Sequence, residues 1–243
     1  MWTIFNKEVK AFFNSVTGYF VIGVFLFIMG LFVWIFPIYN VLDGGFATLD
    51  GFFDFAPLVF LFLVPAITMR IIAEEKSNGT LEFLTTKPLS DFSLLAGKYL
   101  AAFTLFVLSL LPTLIYVWTI SRLASPVGDI DTGAIMGSYI GLLFIGAAFT
   151  AVGLFASSIS SNQVVAFLLG LFICFFSFYA FDFLSKISAF SGTLDYTVKN
   201  IGLQAHYSSI SRGVLDTRDV IYFLTFVALF FTASKTVLES RKW

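Results

Sequence analysis

A chain of 243 residues that is 58% hydrophobic and only 12% charged, with a mean hydropathy of +0.93, is far too apolar for a water-soluble domain and reads as an all-α polytopic membrane protein. Its net charge of −1 excludes the basic face that nucleic-acid binding requires. A single cysteine, Cys174, permits no intrachain disulfide, a single histidine, His206, leaves no His/Cys metal set, and the 33 phenylalanines read as core filler, so no cofactor is expected.

Residues 1–17 set Ile4, Phe5, Val9, Phe12 and Phe13 against Asn6, Lys7, Glu8, Lys10 and Asn14, a spacing that predicts an amphipathic elbow helix lying in the membrane interface. The apolar run 19–39 is too long for a signal peptide and lacks a small-residue cleavage site, so it stays as an anchor. At about 1.5 Å per residue it covers roughly 30 Å, one hydrocarbon thickness. A loop rich in Gly and Asp, 40–51, leads to a second span at 52–72, interrupted by Pro57 and Pro65, with Arg70 placed to snorkel at its end. Further spans are expected at 97–120, with Pro112 inside, and at 133–156, 164–184 and 219–238. Residues 157–163 read as a short polar turn. In the fourth span Gly133, Gly137 and Gly141 form two overlapping G-x-x-x-G patterns, which suit close approach of a helix from the same chain or from a second copy. Segment 185–217 places Ile201, Leu203, Tyr207, Ile210, Val214 and Leu215 at helical spacing among Ser, Gly and Asp, predicting short helices against the outer face. The whole chain, 1–243, reads as one transmembrane domain.

Six crossings put both termini on one side, and the Lys/Arg distribution says which. With the N-terminus inside, nine fall on the inner segments (Lys7, Lys10, Arg70, Lys76, Lys87, Lys98, Lys235, Arg241, Lys242) and five on the outer ones (Arg122, Lys186, Lys199, Arg212, Arg218). Both termini and segment 73–93 are therefore expected in the cytoplasm. That segment carries Glu74, Glu75, Glu82 and Asp91 between two apolar runs. Asn78-Gly79 is a helix-stop signal, Thr80 is placed to cap a short helix with Leu81 and Leu84 on one side, Pro88 ends it, and Ser90 sits where the next N-cap belongs. A short amphipathic helix pinned at both ends suits docking to a partner.

Motifs of covalent chemistry are missing. The Gly97-Lys98 pair has Phe92 where a P-loop needs its first glycine and Tyr99 where it needs a hydroxyl, so this chain does not hydrolyse nucleotide. There is no H-E-x-x-H and no G-x-S-x-G. His206 reads as surface packing, with a general-base or proton-carrying role as the sharper alternative. Asp54, Asp182 and Arg70 lie near expected helix ends, where interfacial capping or snorkelling explains them.

The run Glu74-Glu75-Lys76-Ser77-Asn78-Gly79-Thr80-Leu81-Glu82-Phe83-Leu84-Thr85-Thr86-Lys87-Pro88-Leu89-Ser90, followed by Gly97-Lys98, resembles the signature between the second and third helices of type-2 ABC-transporter permeases. Within that class the chain is most similar to the permease subunit of the gliding-motility ABC transporter of Bacteroidetes, including an outer run from His206 through Ser211-Arg212-Gly213-Val214-Leu215-Asp216 to Arg218-Asp219-Val220. The resemblance implies a subunit of the bacterial inner membrane, working with a separate cytosolic ATPase and a second permease subunit, identical or homologous, and favours export. It also implies that residues 80–86 form a coupling helix seated on the ATPase. Glu74, Glu75 and Glu82, with Lys76 between them, would offer charge there and Leu81 and Leu84 an apolar anchor, while Gly79, Thr80 and Pro88 hold the rod. Two other readings remain: a structural or assembly component of a cell-envelope machine that moves no solute, and an outer-face enzyme working through His206.

Overall fold

Helices begin in this chain where the sequence supplies an oxygen for their first free N–H groups. Ser15, Ser90, Asp131, Asn162 and Asp216 stand at N-caps and accept from the backbone N–H of Gly18, Ser93, Ala134, Val164 and Arg218. In the computed structural model, which describes residues 1–37, 40–42, 45–80, 90–186 and 195–240, these caps open five of the six helices that are long and apolar enough to cross a membrane.

The elements are α1 (Trp2–Phe13), α2 (Val16–Trp34), α3 (Asp50–Ser77), α4 (Asp91–Leu123), α5 (Thr132–Ile159), α6 (Gln163–Ser185), α7 (Asp195–Lys199), α8 (Leu203–Ile210) and α9 (Thr217–Glu239). Among the described residues all regular structure is helical. Three spans are interrupted. A turn over 69–72 divides α3 into Asp50–Thr68 and Ala73–Ser77. Pro112 imposes a 3-10 turn at Leu111–Thr113 in α4, and a π segment at Phe176–Ala180 widens α6.

The membrane offers little reward for burying apolar side chains against each other, so close backbone approach at small residues and good van der Waals fit must hold the bundle. Accordingly, α3 and α5 form the buried pair at its centre. A Cβ added at Gly146 of α5 would lie 2.0 Å from the Phe106 ring of α4, and one at Gly153 would lie 2.0 Å from Thr68 Oγ1 of α3. Phe106 in turn meets Phe60 edge to face at 4.8 Å. Around this centre α2 packs on α3, α6 on α3 and α5, and α9 on α5.

One end of the bundle, here the near end, gathers α1, the 69–80 stretch, the start of α4 and the ends of α5 and α9. Lys98 reaches Glu8, Ser157 reaches Ile72, and the rings of Tyr99 and Phe231 meet at 6.1 Å. The far end carries the 124–131 connection and the α7–α8 segment.

Several limits differ from those read in the sequence. α2 begins at Val16 because Ser15 caps it, and α5 continues three residues past 156, so Ser157 and Ser158 are not part of a polar turn but the buried last turn of a helix. The span expected at 52–72 stops being regular helix after Thr68.

Candidate functional site

The break in α3 sets the geometry of the near end. Between Thr68 and Ala73 the helical ladder lapses, leaving the N–H groups of Ile72 and Ala73 without their i−4 carbonyls. A side chain from another helix fills the gap: Ser157 Oγ of α5 accepts from both N–H groups at 3.0 Å and donates to Met69 O at 3.1 Å. The hydroxyl splices the two halves of α3 together and ties both to α5. Lys76, one turn further, donates to Ser158 O.

Beside the splice lies a cluster of four charges. Lys98, on α4 and fully buried, donates to Glu8 Oε1 of α1 at 2.8 Å and to Ile71 O at 2.6 Å, a carbonyl of the broken turn. Its ammonium also stands 2.8 Å from Glu75 Oε2, an ion pair by distance that lacks hydrogen-bond alignment. The other Glu75 oxygen accepts from Lys7 at 2.7 Å. Two lysines thus face two glutamates, and the ammonium that has left water is matched by two carboxylates and a carbonyl. Gly97 makes this possible, because a Cβ there would meet Met1 O at 2.9 Å; its absence lets α1 lie directly on α4. Burial alone would lower the pKa of Lys7, but the Glu75 and Glu8 carboxylates outweigh it and raise it above the ordinary 10.5. At the rim, Arg70 pairs with Glu74 at 3.0 Å and donates to Thr17 Oγ1 at 2.8 Å, adding α2 to the joint.

Of the residues expected to face a partner, Glu74 and Glu75 are engaged inside the chain: Glu75 is turned inward with its side chain only 11% exposed. Its isolation from bulk water by α1 and α4 explains why it serves as an internal strut instead of an outward charge. Lys76 is likewise spent on α5. Asn78 caps the short helix with its N–H on Glu74 O, Gly79 takes φ +68°, and Thr80 Oγ1 donates to Glu75 O at 3.3 Å. Leu81, Glu82, Leu84 and Pro88 lie outside the described residues. Glu8, Lys98, Ser157 and Ser158 were not singled out as site residues. The Gly97-Lys98 pair was the available signal, a small residue beside a cation on an otherwise apolar helix.

The G-x-x-x-G face belongs to the far end and is an intrachain contact. A Cβ at Gly137 would fall 2.7 Å from Gly213 Cα and 2.9 Å from Ile210 O, and one at Gly141 would meet the Tyr207 ring at 3.0 Å. Gly133 lends its carbonyl to the same contact with Gly213. Ser138 Oγ donates to Ser211 O at 2.9 Å and Tyr207 donates to Phe53 O at 2.8 Å, so α8 is fastened to both α5 and α3. His206, read as a surface residue without a partner, is in fact largely buried between Asp219 and the carbonyl of Asn200 and stacked on Tyr222.

Among the described residues of the near end, the carboxylates Glu8, Glu74 and Glu75 are each engaged in ion pairs with Lys or Arg. The arrangement is a joint: four separate helices (α1, α3, α4, α5) meet in bonds at the end of α3 and in the first turns of α4. A search of the curated proteins finds no match. Comparison with protein families matches residues 43–202 to the family described as ABC-2 family transporter protein, a span of more than half the sequence that takes in α3 to α7. The chain, an all-helical membrane protein with six candidate crossings, belongs to the ABC-2 transporter family.

Proposed function

We propose that this chain is the permease subunit that couples ATP hydrolysis in a separate cytosolic ATPase to translocation, with export as the direction. The carrying observation is the near-end joint: Lys98, Glu75, Glu8 and Ser157 tie the helix before segment 81–89 and the helix after it to α1 and α5. A push on that segment would then reach α3 and α4 together instead of bending a loose loop. The excess of Lys and Arg at this end supports a cytoplasmic placement with both termini inside. The second permease subunit is proposed as an identical or homologous chain, and the likeness of the outer 206–220 run to gliding-motility permeases supports a role in that process.

The test is to purify the full chain with the ATPase it retains and to compare ATP hydrolysis with substrate movement in Gly79→Pro and Leu81→Asp variants. Proline cannot adopt the positive φ of Gly79, so the turn must rebuild. Hydrolysis that continues while movement stops is the expected result. Full coupling in both variants, or no ATPase held by the parent chain, would overturn the proposal.

A further inference from the structure

We propose that His206 and Asp219 form a proton-held latch that fastens the α7–α8 segment to α9 and lets go as the pH at the far end rises. Imidazole Nε2 lies 2.9 Å from the carbonyl oxygen of Asn200, which can only accept, so Nε2 carries a hydrogen. Nδ1 lies 2.6 Å from Asp219 Oδ1, a distance held only with a hydrogen between them. A neutral imidazole has one N–H and an ionised carboxylate has none. The closed site therefore stores one proton more than the two groups hold when each is alone and His206 is neutral.

When that proton leaves to bulk water, either the Nδ1 lone pair faces the carboxylate or, in the other tautomer, the Nε2 lone pair faces the Asn200 carbonyl. One of the two contacts becomes repulsive. Asp219 has little else to hold it: it is buried, and its second oxygen, Oδ2, has no hydrogen-bond partner among the described residues. Tyr222 stacks on the imidazole at 3.9 Å and 20°, which favours a cationic ring, and its hydroxyl donates to Ile201 O.

The titratable groups around the latch are Asp219 and Tyr222 on α9, with exposed Arg218 beside them. Tyr207 on α8 is turned toward α3, where Asp54 is within electrostatic range of it. On α6 stand Tyr179 and Asp182, the latter paired with Lys186 at 2.6 Å. Lys199 and Arg212 flank the segment and are exposed. Among these residue types only histidine ordinarily changes charge between pH 5 and 8. What the latch secures is the lid over Gly137, Ser138 and Gly141 of α5. The inference does not depend on the transport reading, because it needs neither an ATPase nor a substrate.

The experiment uses the full chain in lipid nanodiscs, where both faces are open, with Cys174→Ala and a reporter Ser138→Cys beneath the segment. Maleimide labelling of Ser138→Cys is divided at each pH by that of a Ser208→Cys chain, an exposed position, which cancels the thiol's own pH dependence. The ratio is expected to rise severalfold between about pH 5 and about pH 8, because the closed arrangement holds a hydrogen on both ring nitrogens and the released one does not. His206→Gln and Asp219→Asn should both abolish the slope. A flat ratio in the parent, or a slope that survives both substitutions, would overturn the latch. The chain's one histidine gives a second readout that needs no cysteine variant: with 15N-labelled histidine, both ring nitrogens should carry hydrogen at the acid end and one should lose it as the pH rises. A ring that stays neutral throughout would contradict the proposal.

Discussion

The two ends of this bundle solve the same problem, fixing a short non-spanning segment to the spans, with a different balance of charge and shape. At the near end α1 and the 73–80 stretch are held by full charges: Lys98 inside a ring of Glu8, Glu75 and the Ile71 carbonyl, with Lys7 and Arg70 outside it. At the far end α8 is held chiefly by shape and hydroxyl bonds, with Gly137 and Gly141 pressed to its backbone and rings, Ser138 donating to Ser211 O and Tyr207 to Phe53 O, and a single pair, His206–Asp219, at its rim. A charge cluster gives a joint that is stiff while complete and costly to break, because removing Lys98, the buried ammonium at its centre, leaves two carboxylates short of a cation. Glycine packing gives a contact held by fit, which can part without stranding a buried charge. The first suits the coupling joint proposed above, and the second the proposed latch.

That contrast can be broken by substitution. The largest effect is expected for Lys98→Met, which leaves Glu8 and Glu75 with only the half-exposed Lys7 to match them: about 3–5 kcal/mol of stability, read as a lost or strongly lowered unfolding transition of the purified chain. Adding Glu8→Gln and Glu75→Gln to that variant should recover much of the loss, and no recovery would mean that packing, not charge, holds the joint. Ser157→Ala strands the N–H groups of Ile72 and Ala73 and should cost about 1–3 kcal/mol in chemical denaturation. At the far end Gly137→Ala drives a methyl into the Gly213 backbone, with a similar penalty of about 1–3 kcal/mol, but its signature should be local: faster proteolysis within 200–216 while the near end stays protected. Glu74→Gln removes a half-exposed pair with Arg70 and should cost no more than about 1 kcal/mol.

The smallest expected effect is the response of the near end to pH. The pKa of Lys7 is raised in the folded chain, so its contribution is fully present below the ordinary value of 10.5 and is lost only as pH climbs through the higher folded value. Reactivity of a cysteine near α1, divided by that of an exposed reference cysteine to remove the thiol's own pH dependence, should therefore stay constant across neutral pH, whereas the normalised far-end reporter should not.

Much of the fold was legible because a membrane span writes itself as a continuous apolar run, and the caps Ser90 and the stop at Asn78-Gly79 use local chemistry. The joint was not legible for the same reason in reverse. Glu8 and Lys98 are 90 positions apart and Ile72 and Ser157 are 85, so no periodicity connects them. Glu75 illustrates the difficulty: a glutamate in a charged stretch between two spans reads as solvated, and only the approach of α1 over Gly97 turns it inward. Serines after an apolar run commonly end a helix, so Ser157 reads as a turn residue in the sequence; here the hydroxyl's bonds to α3 accompany a helix that continues to Ile159. His206 gained partners once the α7–α8 segment folded back on α9.

The central claim, that the joint presents segment 81–89 to a cytosolic motor, is tested most directly by sided labelling of Asn78→Cys, an exposed position at the mouth of that segment. In intact cells a membrane-impermeant maleimide should leave it unmodified, and inverted vesicles should label it fully. Labelling from outside intact cells would contradict the account.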